Sequence, residues 1–349
     1  MRSWQIIDWG KPLEARDYPD PQPQGTEVLL KVDACGVCHT DLHLHDGYFD
    51  LGGGEALRVA DRGVELPFTM GHEVVGTVLA AGPEAQGVAV GNRRIVYPWI
   101  GCGRCEVCRK GQELLCLTPR IVGTWKDGGY SDRVMVPDAR YLVDFEGIPE
   151  GLAATYACSG LTAYSAVRKV GELGADDSLL LVGAGGVGLS SLHIARAITP
   201  ARLIVADVDP AKRALAEKEG AAVVDNGAEG ALAKVRELSG GGVAAAIDHV
   251  GRPVTARFGI EALRKGGTLV VVGLYGDRLT IPVLWLPLRQ LTFKGSFTGT
   301  LDELKELVGL VKAGKIPPIP VHDRPIGEVN AVLDELRQGR VAGRVVLRP

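Results

Sequence analysis

Four cysteines within one short stretch are the residues whose spacing points most directly to chemistry. Cys102, Cys105, Cys108 and Cys116 are separated by two, two and seven residues and lie among glycines and charged side chains. Cysteines with two residues between them in a tight turn aim their sulfurs at one point, and four thiolates suit a closed tetrahedral Zn²⁺ site. Disulfides are not expected, because nothing at the N-terminus resembles a secretory signal. We therefore predict a structural zinc site.

A second set of metal ligands is dispersed along the chain. Cys38, His72 and Cys158 lie in separate glycine-flanked segments. Two cysteines and one histidine are a known ligand set of catalytic zinc, which keeps a fourth coordination position open. Each residue taken alone also fits an ordinary buried thiol or core histidine. Together with the tetrad they favour a catalytic zinc, so we expect two zinc ions per chain and leave Cys35 without a metal.

A glycine-rich loop follows a predicted strand and opens a predicted helix. Residues 179–182 are apolar and lead into the pattern G-x-G-x-x-G. Glycines here let the backbone approach a pyrophosphate, which binds the unpaired N–H groups at the helix N-terminus. The pattern alone is weak evidence, but its position between strand and helix strengthens it. We predict dinucleotide contacts at Gly183, Gly185, Gly186, Val187 and Gly188.

A carboxylate at the end of the next predicted strand favours one dinucleotide over the other. Asp207 ends the segment 202–207, at the distance beyond the loop where a carboxylate accepts both hydroxyls of an adenosine ribose. The same carboxylate would repel a 2′-phosphate, so we expect NAD rather than NADP. Lys212 is predicted to contact the cofactor, and with Arg213 it softens this preference. An ordinary strand-end or helix-capping role for Asp207 is the alternative.

The elements that position these residues fall into two predicted domains. A chain of 349 residues that is 46% hydrophobic is more than one ordinary core can hold. From residue 178 short β-branched runs alternate with helical segments, which predicts a doubly wound parallel sheet. We expect a mainly β catalytic domain at 1–150 and 299–349 and a Rossmann domain at 151–298. The predicted strands of the parallel sheet are 179–183, 202–207, 221–225, 243–248, 268–273 and 291–296.

Composition excludes several classes of partner. The formal net charge is −3 and no basic block occurs, which argues against nucleic acid or an anionic membrane surface. No apolar run approaches the roughly 20 residues of a membrane helix. Residues 46–67 are glycine-rich and charged without clear periodicity, and we expect an ordered surface loop there. These features favour a cytoplasmic enzyme that acts on a small molecule.

Five motifs occur in a fixed order along the chain. They are the segment 38–43 (CHTDLH), the segment 71–73 (GHE), the cysteine tetrad, the segment 157–164 (ACSGLTAY) and the glycine loop. In this order they resemble the zinc-containing alcohol dehydrogenases of the medium-chain dehydrogenase/reductase superfamily, from roughly residue 5 to the C-terminus. The resemblance implies a GroES-like catalytic domain, a Rossmann domain, zinc and NAD. It also implies reversible hydride transfer between nicotinamide and a primary or cyclic secondary alcohol, with an aldehyde or ketone as the product.

The resemblance assigns roles around a catalytic zinc held by Cys38, His72 and Cys158. Glu73 matches a carboxylate that approaches the metal, and Asp41 matches the group that orients the zinc histidine. Thr40 matches the hydroxyl that takes the proton as a zinc-bound alkoxide forms. His43 matches the relay histidine that passes this proton to solvent through the cofactor ribose.

Other matches carry simple alternatives. His39 falls where the family often places a basic residue against the pyrophosphate, and Trp99 falls where relatives have a tryptophan in the substrate pocket. Core packing is the alternative for Trp99. Helix capping is the alternative for Asp41, and a surface position is the alternative for His43.

Two departures leave the substrate open. Residues 48–66 form a longer segment than in short bacterial relatives and are expected at the pocket mouth, and Leu301 stands where an arginine is frequent. A specialised alicyclic, aromatic or hydroxyacyl-CoA alcohol is therefore an alternative substrate. A polyol is disfavoured because such relatives usually carry glutamate in place of Cys158. A non-catalytic NAD-binding relative would lack a zinc ligand or a relay residue. By analogy we expect a homo-oligomer, a tetramer rather than a dimer, paired through the strand at 291–296.

Overall fold

A computed structural model describes residues 1–349 and divides them into two compact units. The first unit contains Met1–Tyr48, Arg58–Leu161 and Gly299–Pro349, and the second contains Phe49–Leu57 and Thr162–Thr298. The sequence predicts residues 151–161 in the second domain and 49–57 in the first, whereas the structure places each segment in the other unit. No helix has both the length and the apolar character needed to cross a membrane.

Strands and helices are named in chain order. The strands are β1 (Arg2–Ile6), β2 (Glu14–Asp17), β3 (Val28–Val37), β4 (Tyr48–Gly52), β5 (Glu55–Arg58), β6 (Phe68–Thr69), β7 (Glu73–Ala81), β8 (Arg93–Val96), β9 (Arg133–Val136), β10 (Leu142–Asp144), β11 (Ser178–Val182), β12 (Arg202–Ala206), β13 (Ala222–Val224), β14 (Val243–Asp248), β15 (Leu263–Val271), β16 (Thr292–Gly295), β17 (Val321–Pro325) and β18 (Arg344–Arg348). The helices are α1 (His39–Asp46), α2 (Glu106–Arg109), α3 (Glu150–Thr155), α4 (Leu161–Lys169), α5 (Gly186–Ile198), α6 (Pro210–Lys218), α7 (Ala231–Ser239), α8 (Pro253–Ala262), α9 (Trp285–Arg289), α10 (Leu301–Lys312) and α11 (Val329–Arg337).

The first unit is built around a sheet in the order β10-β8-β7-β3-β18-β17, with β9 also paired to β3. A smaller antiparallel sheet, β2-β1-β6, completes it. Strands β3 and β7 are antiparallel, with Gly36 opposite Glu73. The end of β3 therefore meets the start of β7 at one edge of the sheet. Because Cys38 follows β3 and His72 precedes β7, this pairing alone brings the two predicted ligands together.

The second unit contains a six-stranded parallel sheet in the order β13-β12-β11-β14-β15-β16. Strands β11 and β14 are buried along their whole length, as expected for strands covered by helices on both faces. From β11 the chain forms β12 and β13 on one side, then crosses back to form β14, β15 and β16 on the other side of β11. Dinucleotides bind at the carboxyl ends of strands where the order reverses in this way. The predicted doubly wound sheet is confirmed.

The segment from residue 48 to residue 66 contains more regular structure than its sequence indicates. β4 and β5 pair as a two-stranded hairpin, and a 3₁₀ turn follows at Ala60–Arg62. Only flanking contacts stabilise so short a ribbon, because an isolated hairpin of this size is marginal in water.

Candidate active site and cofactor loop

Helix α1 carries three of the predicted catalytic residues and begins directly after a predicted ligand. Cys38 is its N-cap residue, and Asp41 accepts a hydrogen bond from the Cys38 backbone N–H at 2.9 Å. Gly47 ends the helix in a left-handed conformation, with φ of 81°. The capping role considered for Asp41 is thus real, and the same hydrogen bond fixes the backbone of the predicted ligand Cys38. Thr40 lies on the first turn of the helix and His43 on the next.

The carboxylate of Asp41 also lies behind His72. Its Oδ1 is 3.3 Å from Nδ1 of His72, and both side chains are fully buried. The hydroxyl of Tyr130 donates to Oδ2 of Asp41 at 3.0 Å, which holds the carboxylate in place. A metal-binding histidine typically uses its other ring nitrogen in this way, which sets its orientation and tautomer. The arrangement leaves Nε2 of His72 facing Cys38, at 3.1 Å from its Sγ.

Glu73 is held away from solvent by a buried arginine. Both of its carboxylate oxygens lie 2.6 Å from Nη2 of Arg344 on β18. Oε1 also accepts a hydrogen bond from the backbone N–H of Ser159 at 3.2 Å. The carboxylate needs the glycine opposite it, because a Cβ on Gly36 would lie 2.0 Å from Oε2 of Glu73. Burial raises the pKa of Glu73 to about 7, although Arg344 opposes this rise.

The third predicted ligand lies on an irregular turn. Cys158 belongs to the π-helical turn Tyr156–Gly160 between α3 and α4. Single π turns inside helices occur often at functional sites, because they redirect one side chain out of the regular spacing. Trp99 donates from Nε1 to the carbonyl of Ala157 at 2.9 Å, which ties this turn to the segment after β8. Trp99 is 1% exposed, and its ring meets that of His72 edge-on at 5.5 Å.

Four donor groups converge at this point. The ligand atoms of Cys38, His72, Glu73 and Cys158 all lie within 4.8 Å of one another, and all four residues are buried. Burial alone would raise the pKa of Cys38, but the hydrogen bond from Cys158 and the charge of His72 lower it well below its usual range. The hydrogen bond to Cys38 and burial raise the pKa of Cys158. Two sulfurs and an imidazole nitrogen this close together fit the ligand chemistry of Zn²⁺.

The predicted tetrad also forms a single cluster. The Sγ of Cys105 lies 3.3 Å from that of Cys108 and 3.8 Å from that of Cys116, and Cys102 and Cys108 are 3.9 Å apart. Zinc–sulfur bonds of about 2.3 Å in a tetrahedron require sulfurs about 3.8 Å apart. Backbone N–H groups of Arg104 and Cys105 lower the pKa of Cys102 to about 5, which favours the thiolate. All seven cysteines of the chain are free thiols.

The glycine loop has the geometry that a pyrophosphate needs. Gly188 lies so close to the strand end that a Cβ would be 1.9 Å from the carbonyl oxygen of Gly183. Gly183 itself has φ of +90°, a left-handed conformation that favours glycine. Gly185 is the N-cap of α5, and no atom lies within 4 Å of its Cβ position. The loop is thus closely packed at its first and third glycines and open at its second, where a phosphate would approach. Gly186 and Val187 form the first turn of α5.

Asp207 joins the end of β12 to this loop. Its Oδ2 accepts from the N–H of Ala184 at 2.7 Å, and its Oδ1 accepts from the N–H of Asp209 at 2.9 Å. The carboxylate is therefore fixed at the carboxyl edge of the sheet while keeping lone pairs for ribose hydroxyls. Lys212 lies on α6 and is 3.9 Å from a carboxylate oxygen of Asp209. Arg213 donates to the carbonyl of Asp207 at 2.7 Å and pairs with the carboxylate of Asp225 at 3.2 Å.

The remaining predicted residues take simpler positions. Thr40 is partly buried and His39 is exposed, both on the first turn of α1. Burial lowers the pKa of His43, so its imidazole is neutral at pH 7. Leu301 begins α10, whose N-cap is Thr300.

Comparisons with known proteins agree with this geometry. Residues 24–148 match the family described as alcohol dehydrogenase GroES-like domain, and residues 186–313 match the family described as zinc-binding dehydrogenase. An NAD-dependent alcohol dehydrogenase of Sulfurisphaera tokodaii is 36% identical over the full length of both chains, and one of Saccharolobus solfataricus is 37% identical. The solved alcohol dehydrogenase of Aeropyrum pernix has a TM-score of 0.90 and 33% identity, with full coverage of both chains.

The chain belongs to the zinc-containing alcohol dehydrogenase family. The predicted family and the predicted pair of domain types are therefore confirmed. Sequence reasoning missed two residues of this alcohol dehydrogenase site, Arg344 and Tyr130. Arg344 had one weak signal, a charged residue directly before the apolar run 345–347 of the C-terminal strand, and Tyr130 had none.

Proposed function

We propose that the chain is a zinc- and NAD-dependent alcohol dehydrogenase that moves hydride reversibly between an alcohol and nicotinamide. The observation that carries this proposal is the convergence of Cys38, His72 and Cys158 from three distant segments of the first unit. Asp41, behind His72, supplies the orienting carboxylate that such a site requires. The second unit independently supplies a dinucleotide loop with a ribose-binding carboxylate. The proposal assigns catalysis to the first unit and NAD binding to the second.

Three of the four convergent donors would hold the catalytic zinc, and one would be kept off it. Glu73 is engaged by Arg344 and by the backbone of Ser159, so its carboxylate is already satisfied. Cys38, His72 and Cys158 have no comparable competing cation. This leaves a fourth position for substrate, as catalytic zinc sites require. Bound zinc supplies Lewis acidity, and NAD supplies the hydride acceptor.

The chain's own residues would handle the proton. We assign Thr40 as the group that accepts the substrate hydroxyl proton, because it lies on the first turn of α1 beyond Cys38. His43 lies one turn further on, and burial favours its neutral form, which is the form able to accept a proton. His39, exposed at the helix start, is assigned to the pyrophosphate. Trp99 packs against His72 and is assigned to the wall of the substrate pocket.

The proposed structural zinc site is the cysteine tetrad, which has no open position and so no substrate. With the catalytic site this makes two zinc ions per chain. Seven free thiols, four of them in one cluster, favour a reducing compartment such as the cytoplasm.

We also propose a homo-oligomer that pairs through the edge of the parallel sheet. β16 is exposed along its whole length and presents unpaired backbone groups. Exposed apolar side chains occur on the preceding segment, with Val283 at 76%, Leu284 at 62% and Leu288 at 63% exposure. Such a surface favours a second copy of the chain. Light scattering during gel filtration would show a dimer or tetramer, and a monomer at micromolar concentration would exclude this pairing.

The function is tested by supplying NAD⁺ with a panel of short-chain, benzylic and cyclic alcohols and recording NADH absorbance. Hydroxyacyl-CoA substrates belong in the same panel. We expect turnover with at least one class, and Cys158→Ser should lose turnover and one zinc while keeping the fold. No turnover by zinc-loaded protein across the panel would count decisively against the proposal.

A further inference from the structure

The hairpin formed by β4 and β5 belongs to the cofactor-binding unit although its sequence lies between two metal ligands. Residues 49–57 cluster with the second unit, while the residues before and after them belong to the first. The segment therefore leaves the first unit after Tyr48 and returns at Arg58. The hairpin must therefore be held by specific contacts within the second unit, and the residues that make these contacts are called the hairpin seat below.

Three glycines make that seat. A Cβ on Gly276 would lie 2.0 Å from the carbonyl oxygen of Asp50. A Cβ on Gly52 would lie 2.5 Å from Oδ1 of Asp277 and 2.9 Å from the backbone N of Arg278. A Cβ on Gly53 would lie 2.7 Å from Cζ of the Arg278 guanidinium. The hairpin and residues 276–278 are thus in backbone-to-backbone contact, which only glycine permits.

An ion pair closes the same contact. Nη2 of Arg278 lies 2.8 Å from Oε1 of Glu55, with both side chains more than half exposed. An exposed pair of this kind contributes only about 0–1 kcal/mol. The glycine packing therefore determines where the hairpin lies, and the ion pair adds little.

The loop beneath the hairpin stands at the carboxyl edge of the parallel sheet. Residues 272–278 follow β15, and the N–H groups of Val272 and Gly273 donate to the carbonyl of Asp248 at the end of β14. Gly273 packs on the backbone of Val250, whose side chain in turn contacts the first glycine of the dinucleotide loop. This loop, residues 272–278, is called the β15 loop below.

The position of the β15 loop identifies the half of the dinucleotide that it adjoins. Asp207 lies at the end of β12, on one side of the reversal point, and takes the adenosine ribose. The other half of a dinucleotide then extends across the ends of β14 and β15, toward the β15 loop. The nicotinamide half is therefore the ligand nearest the hairpin seat.

We propose that the hairpin of residues 49–57 is a clamp that fixes the β15 loop for the nicotinamide half of NAD and thereby slows release of NADH. Asp277 has φ of 82°, so the tip of the loop holds a conformation that non-glycine residues avoid. Contact with the hairpin backbone stabilises that conformation. Freed from the hairpin, the β15 loop would relax and the nicotinamide half would lose an ordered surface, while the adenosine side would keep its contacts.

The test compares two neighbouring glycines of the hairpin in the full-length chain. Gly52 and Gly54 both have positive φ, 77° and 83°, so alanine strains the backbone equally at either position. They differ in surroundings, because nothing lies within 4 Å of the Cβ position of Gly54. Calorimetry gives the Kd for NADH and for AMP, which lacks the nicotinamide half, and stopped-flow fluorescence gives the NADH release rate.

We expect Gly52→Ala to raise the Kd for NADH by about tenfold, equivalent to ~1.4 kcal/mol, mainly through faster release. The Kd for AMP should stay unchanged, and Gly54→Ala should match wild type for both ligands. Equal NADH affinity in the two variants would overturn the inference, as would equal weakening of AMP and NADH by Gly52→Ala. A wild-type chain that binds AMP but not NADH would instead refute the proposed function.

A second variant pair keeps the test sharp if Gly52→Ala fails to fold. Glu55→Arg alone should speed NADH release about twofold, because its new cation repels Arg278. Adding Arg278→Glu restores an opposite-charge pair and should restore the wild-type rate. Failure of the double exchange to reverse the single one would overturn the inference on its own.

Discussion

The buried ion pair between Glu73 and Arg344 gives the sharpest test of how the metal site is stabilised. Glu73 is fully buried and Arg344 is 5% exposed, so removing either partner leaves an uncompensated charge away from water. Breaking such a pair typically costs about 3–5 kcal/mol. An unfolding entropy of about 2.1 cal/mol/K per residue gives about 1.4 °C per kcal/mol for 349 residues, so Arg344→Met should lower the Tm by roughly 4–7 °C.

The double variant separates this cost from simple loss of packing. In Glu73→Leu with Arg344→Met no buried charge remains, and replacing both partners by apolar groups is often nearly neutral. The double variant should therefore melt above the Arg344→Met single variant, with a coupling free energy of at least ~2 kcal/mol.

Differential scanning fluorimetry of zinc-loaded protein measures each variant. Arg2→Met is the matched control, because Arg2 also makes two hydrogen bonds to one carboxylate, that of Asp17, but is exposed. That control should leave the Tm almost unchanged, because exposed ion pairs contribute little to stability. Additive effects of the two buried substitutions, or an Arg344→Met variant as mild as Arg2→Met, would refute the reasoning.

Three further predictions concern other parts of the chain. Cys116→Ser should remove one zinc and lower the Tm in metal-loaded protein, whereas retention of full zinc by mass spectrometry would contradict a tetrad site. Thr40→Val should lower kcat by about 10²-fold or more while Thr40→Ser keeps most activity, and equal rates would remove the hydroxyl from the relay. Burial lowers the pKa of His249 to about 4 from 6.5, so its contribution to stability is complete above pH 6.5 and is lost as pH falls toward 4. The stability lost over this pH range approaches about 3 kcal/mol. The Tm of His249→Asn should therefore fall less than that of the wild type between pH 7 and 4.5.

Residues at the ends of strands were the part of the site that the sequence revealed best. Cys38 and His72 sit beside β3 and β7, whose pairing follows from two long apolar runs. The glycine loop is equally local, since its strand, glycines and helix lie within residues 178–198. Where a functional residue and the strand or helix that positions it are adjacent in sequence, one local sequence motif includes both of them. The tetrad is the extreme case, because its four ligands span only residues 102–116.

Arg344 and Tyr130 were missed for the opposite reason. Arg344 meets Glu73 across 271 residues, and Tyr130 meets Asp41 across 89. Neither contact leaves a periodicity or spacing in the local sequence. One arginine at the start of an apolar strand looks like a surface charge until β18 is paired with β3. A single sequence therefore indicates which groups are candidates to bind a metal, but the groups that hold those candidates in place depend on tertiary pairing.

The hairpin of residues 49–57 extends the same argument to backbone contacts. Its strands are mostly exposed, so no hydrophobic alternation marks them, and the segment reads as an irregular loop. Its position depends on close contacts of Gly52 and Gly53 with Asp277 and Arg278, and of Gly276 with Asp50. The sequence alone does not reveal whether a glycine is needed for a positive φ or for the space that a Cβ would fill. Gly52 and Gly54 are identical in type and similar in φ, yet of the two only Gly52 contacts the β15 loop. The distinction that governs the clamp thus exists only in the folded chain, which is why the two alanine variants should behave differently.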